Sequence, residues 1–155
     1  MALEEFKNTP PKDLPVAKLI AMISKGYTIY INHNLSDFEI NSTQLQLLFE
    51  ISNQSNINQE KISQICNINK GAVARSMKKL EDSGLVKRQI DENNRRQNMV
   101  SLTKKGEETL AEAVKISKSW EDKVILDDGY VKREVLQKVL KEIAIKTFEL
   151  NQKEE

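Results

Sequence analysis

Cationic side chains concentrated in one stretch are the residues of this chain best suited to chemistry. Residues 61–106 contain eleven Lys or Arg and four Asp or Glu, a net charge of +7, whereas the whole chain carries only +1. Such a local excess is typical of proteins that bind a polyanion, because neutralising phosphates releases condensed counterions. The stretch therefore predicts nucleic-acid binding, and the alternative is a face of solvated charges without a ligand.

Side chains suited to catalysis or metal binding are scarce. The chain contains one histidine, His33, and one cysteine, Cys66, and it shows no Ser/His/Asp, Cys/His or phosphate-loop pattern. One imidazole offers little acid–base catalysis at neutral pH, and one His with one Cys makes a poor zinc site. We therefore expect no enzyme activity, no cofactor and no metal.

Composition places the chain among ordinary helix-rich proteins. Of its 155 residues, 39% are hydrophobic and 30% are charged, with 5 Gly and 3 Pro. Its apolar runs are shorter than the ~20 residues that span a bilayer, and its first residues lack a signal-peptide pattern. We expect one domain in the cytoplasm, with no membrane partner.

The sequence places the basic residues on two short helices joined by a tight turn. Asn58 and Asn69 each precede apolar residues at helical spacing, and Asn is a favoured helix N-cap. Residues 67–69 separate the two segments, and Gly84 follows the second, where a left-handed helix end favours glycine. Two helices joined by about three residues predict a helix-turn-helix.

A β-hairpin is predicted directly after the second helix. Residues 85–90 and 97–102 show strand-like alternation, and the polar residues 91–96 between them favour a turn. The tip carries Arg95 and Arg96, which have no apolar role there. A helix-turn-helix followed by such a hairpin is a winged helix-turn-helix.

Two helices are predicted before this module. Residues 1–13 are interpreted as an arm, and an amphipathic helix begins at Pro15 and fades near His33. Asn41 and Gln44 form a capping box for the next helix.

Two further helices are predicted after the module. Thr103 caps a helix that runs to about Lys123, residues 127–129 break it, and a last helix follows. The apolar positions of the first are Leu110, Val114, Trp120 and Val124, with Ser117 in the same stripe, and those of the last are Val131, Val135, Leu136, Val139, Leu140, Ile143, Ile145 and Phe148. Such a broad band favours a helical dimer interface over a monomer core.

Two segments of the module resemble the MarR (multiple antibiotic resistance regulator) family of transcriptional regulators. Residues 58–88, NQEKISQICNINKGAVARSMKKLEDSGLVKR, resemble the family's DNA-binding core, and residues 95–106, RRQNMVSLTKKG, resemble the closing motif of its wing. The order of helices also matches, so the resemblance covers roughly residues 12–150. It implies an obligate homodimer on pseudo-palindromic double-stranded DNA, with a recognition helix in the major groove and a wing arginine in the minor groove.

Carried over by position, the resemblance assigns the recognition helix to residues 69–83 and the wing arginine to Arg96. Arg75 either reads a guanine edge or positions a phosphate. Lys78 and Lys79 contact phosphates or stay solvated, and Arg96 enters the minor groove or stays at a solvated tip. The resemblance places Lys70, Gly71, Ala72, Ala74, Arg75, Lys78 and Arg96 against DNA, and the basic residues Lys79 and Arg95 beside them complete the predicted DNA-binding set.

The sequence departs from the family pattern in three places. Gly71 and Ala72 stand where the family usually has Ser and Thr, so two hydroxyls suited to phosphate or base contacts are missing. Asn94 stands where an acid usually precedes the wing arginine. Redox-sensing members carry their cysteine in the first helix, whereas Cys66 aligns with an interior leucine; we interpret it as a small buried hydrophobe, with a redox sensor as the alternative.

Many members of the family are repressors released by small aromatic acids or by cysteine oxidation. Tyr27, Tyr30 and Trp120 are the candidates for an effector pocket between the dimerisation helices and the winged domain, with core packing as the alternative for each. A regulator without a small-molecule effector is a further alternative.

These observations together predict a mainly α (α+β) protein, a winged helix-turn-helix with long N- and C-terminal dimerisation helices. Its parts are an N-terminal arm and dimerisation helix (1–36), a DNA-binding domain (37–104) and C-terminal dimerisation helices (105–155), within one compact chain. The expected function is sequence-specific binding of double-stranded DNA by a homodimeric transcriptional repressor that a small aromatic or phenolic effector modulates. The rival hypothesis is a winged-helix protein–protein interaction module without specific DNA binding.

Overall fold

The computed structural model describes residues 3–54, 57–90, 98–125 and 132–152. The chain divides into two compact units, residues 1–118 and 119–155. The helices are α1 (Leu3–Asn8), α2 (Val16–Asn34), α3 (Ser42–Asn53), α4 (Gln59–Cys66), α5 (Lys70–Asp82), α6 (Lys104–Val124) and α7 (Arg133–Gln152). The strands are β1 (Ile57–Asn58), β2 (Val86–Ile90) and β3 (Asn98–Leu102), and two 3₁₀ turns are Pro11–Asp13 and Ser36–Phe38. A mainly helical chain with a small antiparallel sheet confirms the predicted fold class.

Helix α1 lies in the segment that the sequence predicts to be an arm. Its six residues bury no side chain. Local contacts support it, since Lys7 Nζ lies 2.8 Å from Glu4 Oε1 and Thr9 Oγ1 donates to the Glu5 carbonyl oxygen at 2.8 Å. A helix of fewer than two turns leaves too little apolar periodicity for sequence analysis to detect.

Asparagine side chains begin α3, α4 and α5, as the sequence predicts. Asn41 Oδ1 accepts from the Gln44 backbone N–H at 2.9 Å, and Gln44 Oε1 accepts from the Asn41 backbone N–H at 2.9 Å, which completes the capping box. Asn58 and Asn69 each accept from a backbone N–H two or three residues ahead, at 2.8 Å. Each cap satisfies N–H groups that lack partners in the first helical turn.

Helices α2 to α5, the first part of α6 and the sheet contribute to the core of the first unit. Burying one aliphatic side chain contributes about 1.5–3 kcal/mol, so the core determines which face of each helix points inward. The fully buried members include Ile31, Leu35, Leu47, Leu48, Ile62, Val73, Met77, Leu80, Leu85 and Val100.

The sheet has the strand order β1–β3–β2, and both pairings are antiparallel. Strands β2 and β3 are the two arms of the predicted hairpin, with Val86 opposite Leu102. We refer to β2, β3 and the connection between them as the wing. Strand β1 is not predicted, because two residues are too few to show alternation; its Ile57 pairs with Val100.

The base of the wing is fixed at the start of α6. Gly84 adopts a left-handed backbone, with φ of 71°. Thr103 Oγ1 donates to the Gly84 carbonyl oxygen at 2.6 Å and accepts from the Gly106 N–H at 3.1 Å, so Thr103 caps α6 as predicted. A Cβ atom on Gly106 would overlap the Leu85 carbonyl oxygen, so the close approach of α6 to the residue before β2 requires glycine.

The inward face of α6 differs from the predicted stripe. Leu110 is buried as expected, but the buried residues beside it are Gly106 and Ala113, whereas Val114 is 42% exposed. Positions 106, 110 and 113 follow the i, i+4, i+7 spacing of one helix face. Small residues carry this face, so a search for large apolar side chains overlooks it.

In the second unit, Arg133 at the start of α7 pairs with two acids near the end of α6. Its Nη2 lies 3.0 Å from Asp122 Oδ1, and its Nη1 lies 3.7 Å from Glu121 Oε2. Residues 126–131, which include the predicted break, lie outside the described residues. Helix α7 otherwise carries the predicted apolar band, of which Leu136 is half-buried. Its exposed apolar residues are Val135, Val139, Leu140, Ile143, Ile145, Phe148 and Leu150.

Candidate nucleic-acid interface

Helix α5 separates an apolar face from a cationic face. Its apolar face is buried, which turns the opposite face toward solvent. Lys70, Gly71, Arg75, Lys78 and Lys79 are exposed, whereas Ala72 and Ala74 are half-buried. The structure therefore places all seven of the sequence-predicted residues of this helix on one element, and it exposes each charged one.

The turn between α4 and α5 is closed by backbone and side-chain hydrogen bonds. Asn67 adopts a left-handed backbone with φ of 49° and ψ of 45°. Ser63 Oγ, largely buried, donates to the Ile68 carbonyl oxygen at 2.6 Å. These contacts, together with the Asn69 cap, fix the direction in which α5 leaves the turn.

Lys70 is paired before any ligand arrives. Its Nζ donates to Glu60 Oε1 at 2.7 Å, and both side chains are exposed. The Lys70 hydrogen bond and charge hold the pKa of the Glu60 carboxyl below its usual value. The carboxylate thus stays ionised and offsets part of the positive charge at the start of α5.

Gly71 and Arg75 lie together on the exposed face of α5. A Cβ atom on residue 71 would stand 3.6 Å from Arg75 Nη1 and 3.1 Å from Asn69 Oδ1. The Arg75 guanidinium therefore extends back along the helix over Gly71, toward its N-terminus. A Cβ atom would make an ordinary contact with the guanidinium and a tight one with the Asn69 cap oxygen, and its absence lets an incoming ligand come closer to the backbone.

The wing is described at its base. Arg95, Arg96 and Asn94 lie outside the described residues, so their predicted roles stay predictions. At the base, Arg88 of β2 forms an ion pair with Glu81 of α5, with Arg88 Nε 3.0 Å from Glu81 Oε2. This pair is not among the predicted site residues, although an arginine that shares a strand face with Val86 is a detectable signal in the sequence.

A second lysine of the basic stretch, Lys105, also has a partner within the protein. Lys105 Nζ donates to the carbonyl oxygen of Ser83, the C-terminal cap residue of α5, at 2.9 Å. A cation at a helix C-terminus stabilises the unpaired carbonyl groups there. Lys105 therefore stabilises the end of α5, so at least one positive charge of residues 61–106 has a structural role.

Comparison with known proteins identifies the family of this arrangement. A sequence model of the MarR family matches residues 40–97. A MarR transcriptional regulator from Methanosarcina mazei Go1 has a solved structure with a TM-score of 0.74 and 33% identity, over 89% of this chain and 96% of that one.

This chain belongs to the MarR family.

Other relatives agree with this assignment. The HTH-type transcriptional regulator BilQ of Clostridium symbiosum (strain WAL-14163) is 27% identical over 101 residues, which span 65% of this chain and 70% of that protein. The transcriptional repressor CouR, solved bound to a 23-mer DNA duplex, shares the fold with a TM-score of 0.76 and 22% identity, over 93% of this chain and 98% of that one. MarR-family proteins are transcriptional regulators, so the expectation that this chain is not an enzyme is confirmed.

The aromatic candidates for an effector pocket of this MarR-family chain fall into both units. Tyr27 and Tyr30 pack against the core of the first unit. The Tyr27 hydroxyl lies 2.9 Å from Ser117 Oγ, in a part-buried hydrogen bond between α2 and α6. Trp120 belongs to the second unit. Core packing accounts for the two tyrosines, and the effector role of all three residues stays a prediction.

Cys66 lies in the core of the DNA-binding module. Its side chain is buried beside the other apolar residues, as the sequence predicts. Burial, with a smaller effect of the Glu50 charge, raises the pKa of the Cys66 thiol to about 11. A protonated thiol is a poor nucleophile, which favours a packing role over redox sensing.

The part of the chain that the structure describes contains neither a candidate metal site nor a candidate membrane-spanning helix. There, no group of three or more His, Cys, Asp or Glu side chains is arranged to hold a metal ion. Likewise, none of the described helices is both long and apolar enough to cross a membrane.

Proposed function

We propose that this protein binds pseudo-palindromic double-stranded DNA as a homodimer and represses transcription. The observation that carries the proposal is the exposed cationic face of α5, which stands opposite its buried face in a winged helix-turn-helix. An α-helix of this kind fits the major groove, where each base pair presents a distinct pattern of donors and acceptors.

The exposed residues of α5 have different roles in this proposal. Arg75 makes a bidentate contact with a guanine edge, since its guanidinium is the fork that matches O6 and N7. Lys78 and Lys79 neutralise phosphates, and Gly71 lets the DNA backbone approach the start of the helix. Arg96, outside the described residues, reaches the adjacent minor groove, where narrow A·T-rich grooves attract arginine.

Apolar side chains on the first and last long helices support a homodimer. Val16, Ile20 and Ile23 of α2 are each more than 40% exposed, and α7 leaves seven large apolar side chains exposed. Exposed apolar surface on a long helix marks an interaction site. A second copy covers it and sets the two recognition helices about 34–36 Å apart, the spacing of successive major grooves on one face of DNA.

In the same proposal, a small aromatic effector regulates the DNA binding of this protein. The proposed location of the protein is the cytoplasm. The part-buried Tyr27–Ser117 hydrogen bond places two hydroxyl groups between α2 and α6, and polar groups of this kind orient a bound aromatic acid. An effector releases DNA only through its differential affinity for the DNA-competent and incompetent states.

The test begins by selecting duplexes from a random pool with the tagged wild-type protein. Affinities of wild type, Arg75→Ala, Lys78→Ala and Arg96→Ala are then measured by fluorescence anisotropy on the selected duplex and on versions with substituted half-site or flanking bases. Lys115→Ala is the matched control, because Lys115 is an exposed α6 lysine paired with Glu112, outside the proposed interface.

Each variant has a distinct expected result. Arg75→Ala relaxes discrimination at one half-site position by about 1–3 kcal/mol, whereas Lys78→Ala weakens all duplexes by a similar factor. Lys115→Ala leaves binding unchanged, and Arg96→Ala blunts the preference for A·T-rich flanks. A wild-type protein that binds no duplex at low salt would refute the proposal and favour a protein–protein interaction module.

A further inference from the structure

Arg88 occupies a position on β2 where the strand pattern calls for an apolar residue. Its Cα partner on β3 is Val100, which is 1% exposed, and Val86, two residues earlier on the same face, is 2% exposed. Residues directly opposite in an antiparallel pair share a face, so Arg88 points inward. Lys87 and Gln89 on the other face are exposed. Arg88 is therefore a charged residue on the inward face of the described part of β2.

The partner of Arg88 is a carboxylate of the recognition helix. Arg88 Nε lies 3.0 Å from Oε2 of Glu81, in the last turn of α5, and the side chains are 29% and 39% exposed. The Nε atom itself is buried, and within the described chain no acceptor stands in line with its N–H. The contact is thus an ion pair in which the attraction between the two charges, and not an aligned hydrogen bond, holds Nε beside Glu81.

The pair acts beyond the junction that already connects α5 to the wing. The Leu85 N–H donates to the Leu80 carbonyl oxygen at 2.9 Å, and the Thr103 N–H donates to the Leu85 carbonyl oxygen at 3.0 Å, so the first residues of β2 are fixed. Arg88 lies two residues beyond Val86, about 7 Å further toward the tip. At that level β2 pairs with Val100 of β3, which in turn pairs with Ile57 of β1, and the ion pair adds a side-chain link from the wing to the last turn of α5.

We propose that Glu81 and Arg88 are positioning residues that set the angle between the wing and the recognition helix, and so determine how much the sequence flanking each half-site contributes to DNA affinity. We call this ion pair the wing brace. The inference rests on the proposed DNA binding. In this proposal Glu81 neutralises the Arg88 guanidinium and Arg88 does not contact DNA, whereas the exposed cations of α5 bind DNA directly.

The first measurement uses the free protein. Hydrogen–deuterium exchange is followed at the amides of β2 and β3 in wild type, in Glu81→Gln and in the double exchange Glu81→Arg/Arg88→Glu. Glu81→Gln keeps the shape of the side chain and removes its charge, and Glu112→Gln on α6 is the matched control. Faster exchange in the strands of Glu81→Gln, with α4 unchanged, supports the brace, whereas identical exchange in wild type and Glu81→Gln overturns it.

The second measurement uses DNA. Affinities are compared on duplexes with the same half-sites but A·T-rich or G·C-rich flanks, at a temperature where every variant is folded by circular dichroism. Glu81→Gln should reduce the flank preference about threefold to tenfold and leave half-site discrimination unchanged, and the double exchange should restore most of it. A merely structural pair would leave the flank preference unchanged in the folded variants, and that result overturns the proposal.

The two measurements separate this inference from the proposed function. If wild type binds no duplex, the proposed function fails, and the assigned contribution to DNA affinity fails with it. The exchange data still decide whether the pair positions the wing. If wild type binds DNA but Glu81→Gln keeps its flank preference, the brace fails and the DNA-binding proposal stands.

Discussion

The side chain of Asn69 stabilises the first turn of the recognition helix α5, and replacing Asn69 should therefore destabilise that turn. Asn69 Oδ1 accepts from the Gly71 N–H at 2.8 Å and lies 3.4 Å from the Ala72 nitrogen. Gly71 is a poor helix former, by up to about 1 kcal/mol relative to Ala. The cap therefore supports a first turn that has little stability of its own.

Asn69→Ala should lower the free energy of unfolding by about 1 kcal/mol, within a range of about 0.5–2 for lost caps. For a chain of this length that corresponds to a fall in Tm of about 2–4 °C. Asn69→Ser and Asn69→Asp keep an acceptor, so both should stay close to wild type in stability. Asn69→Asp also adds a negative charge at a helix N-terminus, which stabilises the helix but repels DNA phosphates.

The assay combines urea unfolding, at fixed protein concentration, with fluorescence anisotropy on a selected duplex at low and moderate salt. Asn69→Ala should lose both stability and DNA affinity. Asn69→Asp should lose DNA affinity alone, most strongly at low salt. If Asn69→Ala unfolds at the wild-type urea midpoint, or if Asn69→Ser fails to restore it, the cap does not support α5 and the reasoning is refuted.

Three further predictions concern charge, burial and assembly. Glu60→Gln should release Lys70 and raise DNA affinity by a factor of a few at low salt in an anisotropy titration; unchanged affinity would mean that this pair does not affect binding. Cys66→Ser should lower the free energy of unfolding by about 1–3 kcal/mol, because a hydroxyl replaces a buried thiol, and should leave the peroxide response of DNA binding unchanged. The pKa of the Cys66 thiol is about 11 in the folded protein, against 9.0 for a free thiol, so the free energy of unfolding of wild type should fall as pH rises above about 9. Cys66→Ser should not show this loss, and equal pH profiles for the two proteins would contradict the burial argument. Leu136→Glu with Leu140→Glu should give monomer or unfolded chain by sedimentation, since charges would enter an apolar interface, and a well-folded wild-type monomer would contradict the dimer.

Local signals made the helix-turn-helix predictable from sequence. Asn41, Asn58 and Asn69 act within three residues of their own positions, so the sequence alone contains both donor and acceptor. Gly84 ends α5 for a similarly local reason, its left-handed backbone. The helical spacing of Val73, Met77 and Leu80 predicts the buried face of α5, and the cationic side chains then lie on the opposite face.

Contacts between distant residues were not predictable in this way. Glu81 and Arg88 meet only because the chain turns back after α5, and Lys105 at the start of α6 reaches Ser83 at the end of α5, 22 residues earlier in the chain. Strand β1 exists only because β3 pairs with it. Each of these depends on the three-dimensional path of the chain, which no local pattern records.

The salt dependence of DNA binding tests the central claim most directly. Affinity for a selected duplex is measured from low to moderate salt for wild type, Lys78→Ala and the control Lys115→Ala. If α5 neutralises phosphates in a dimer, log affinity should fall steeply with log salt, and loss of two copies of Lys78 should make the slope shallower by up to about 1.8, at about 0.9 per phosphate, while Lys115→Ala keeps the wild-type slope. A flat wild-type slope, or equal slopes for wild type and Lys78→Ala, would contradict the assignment of α5 as the DNA-binding element.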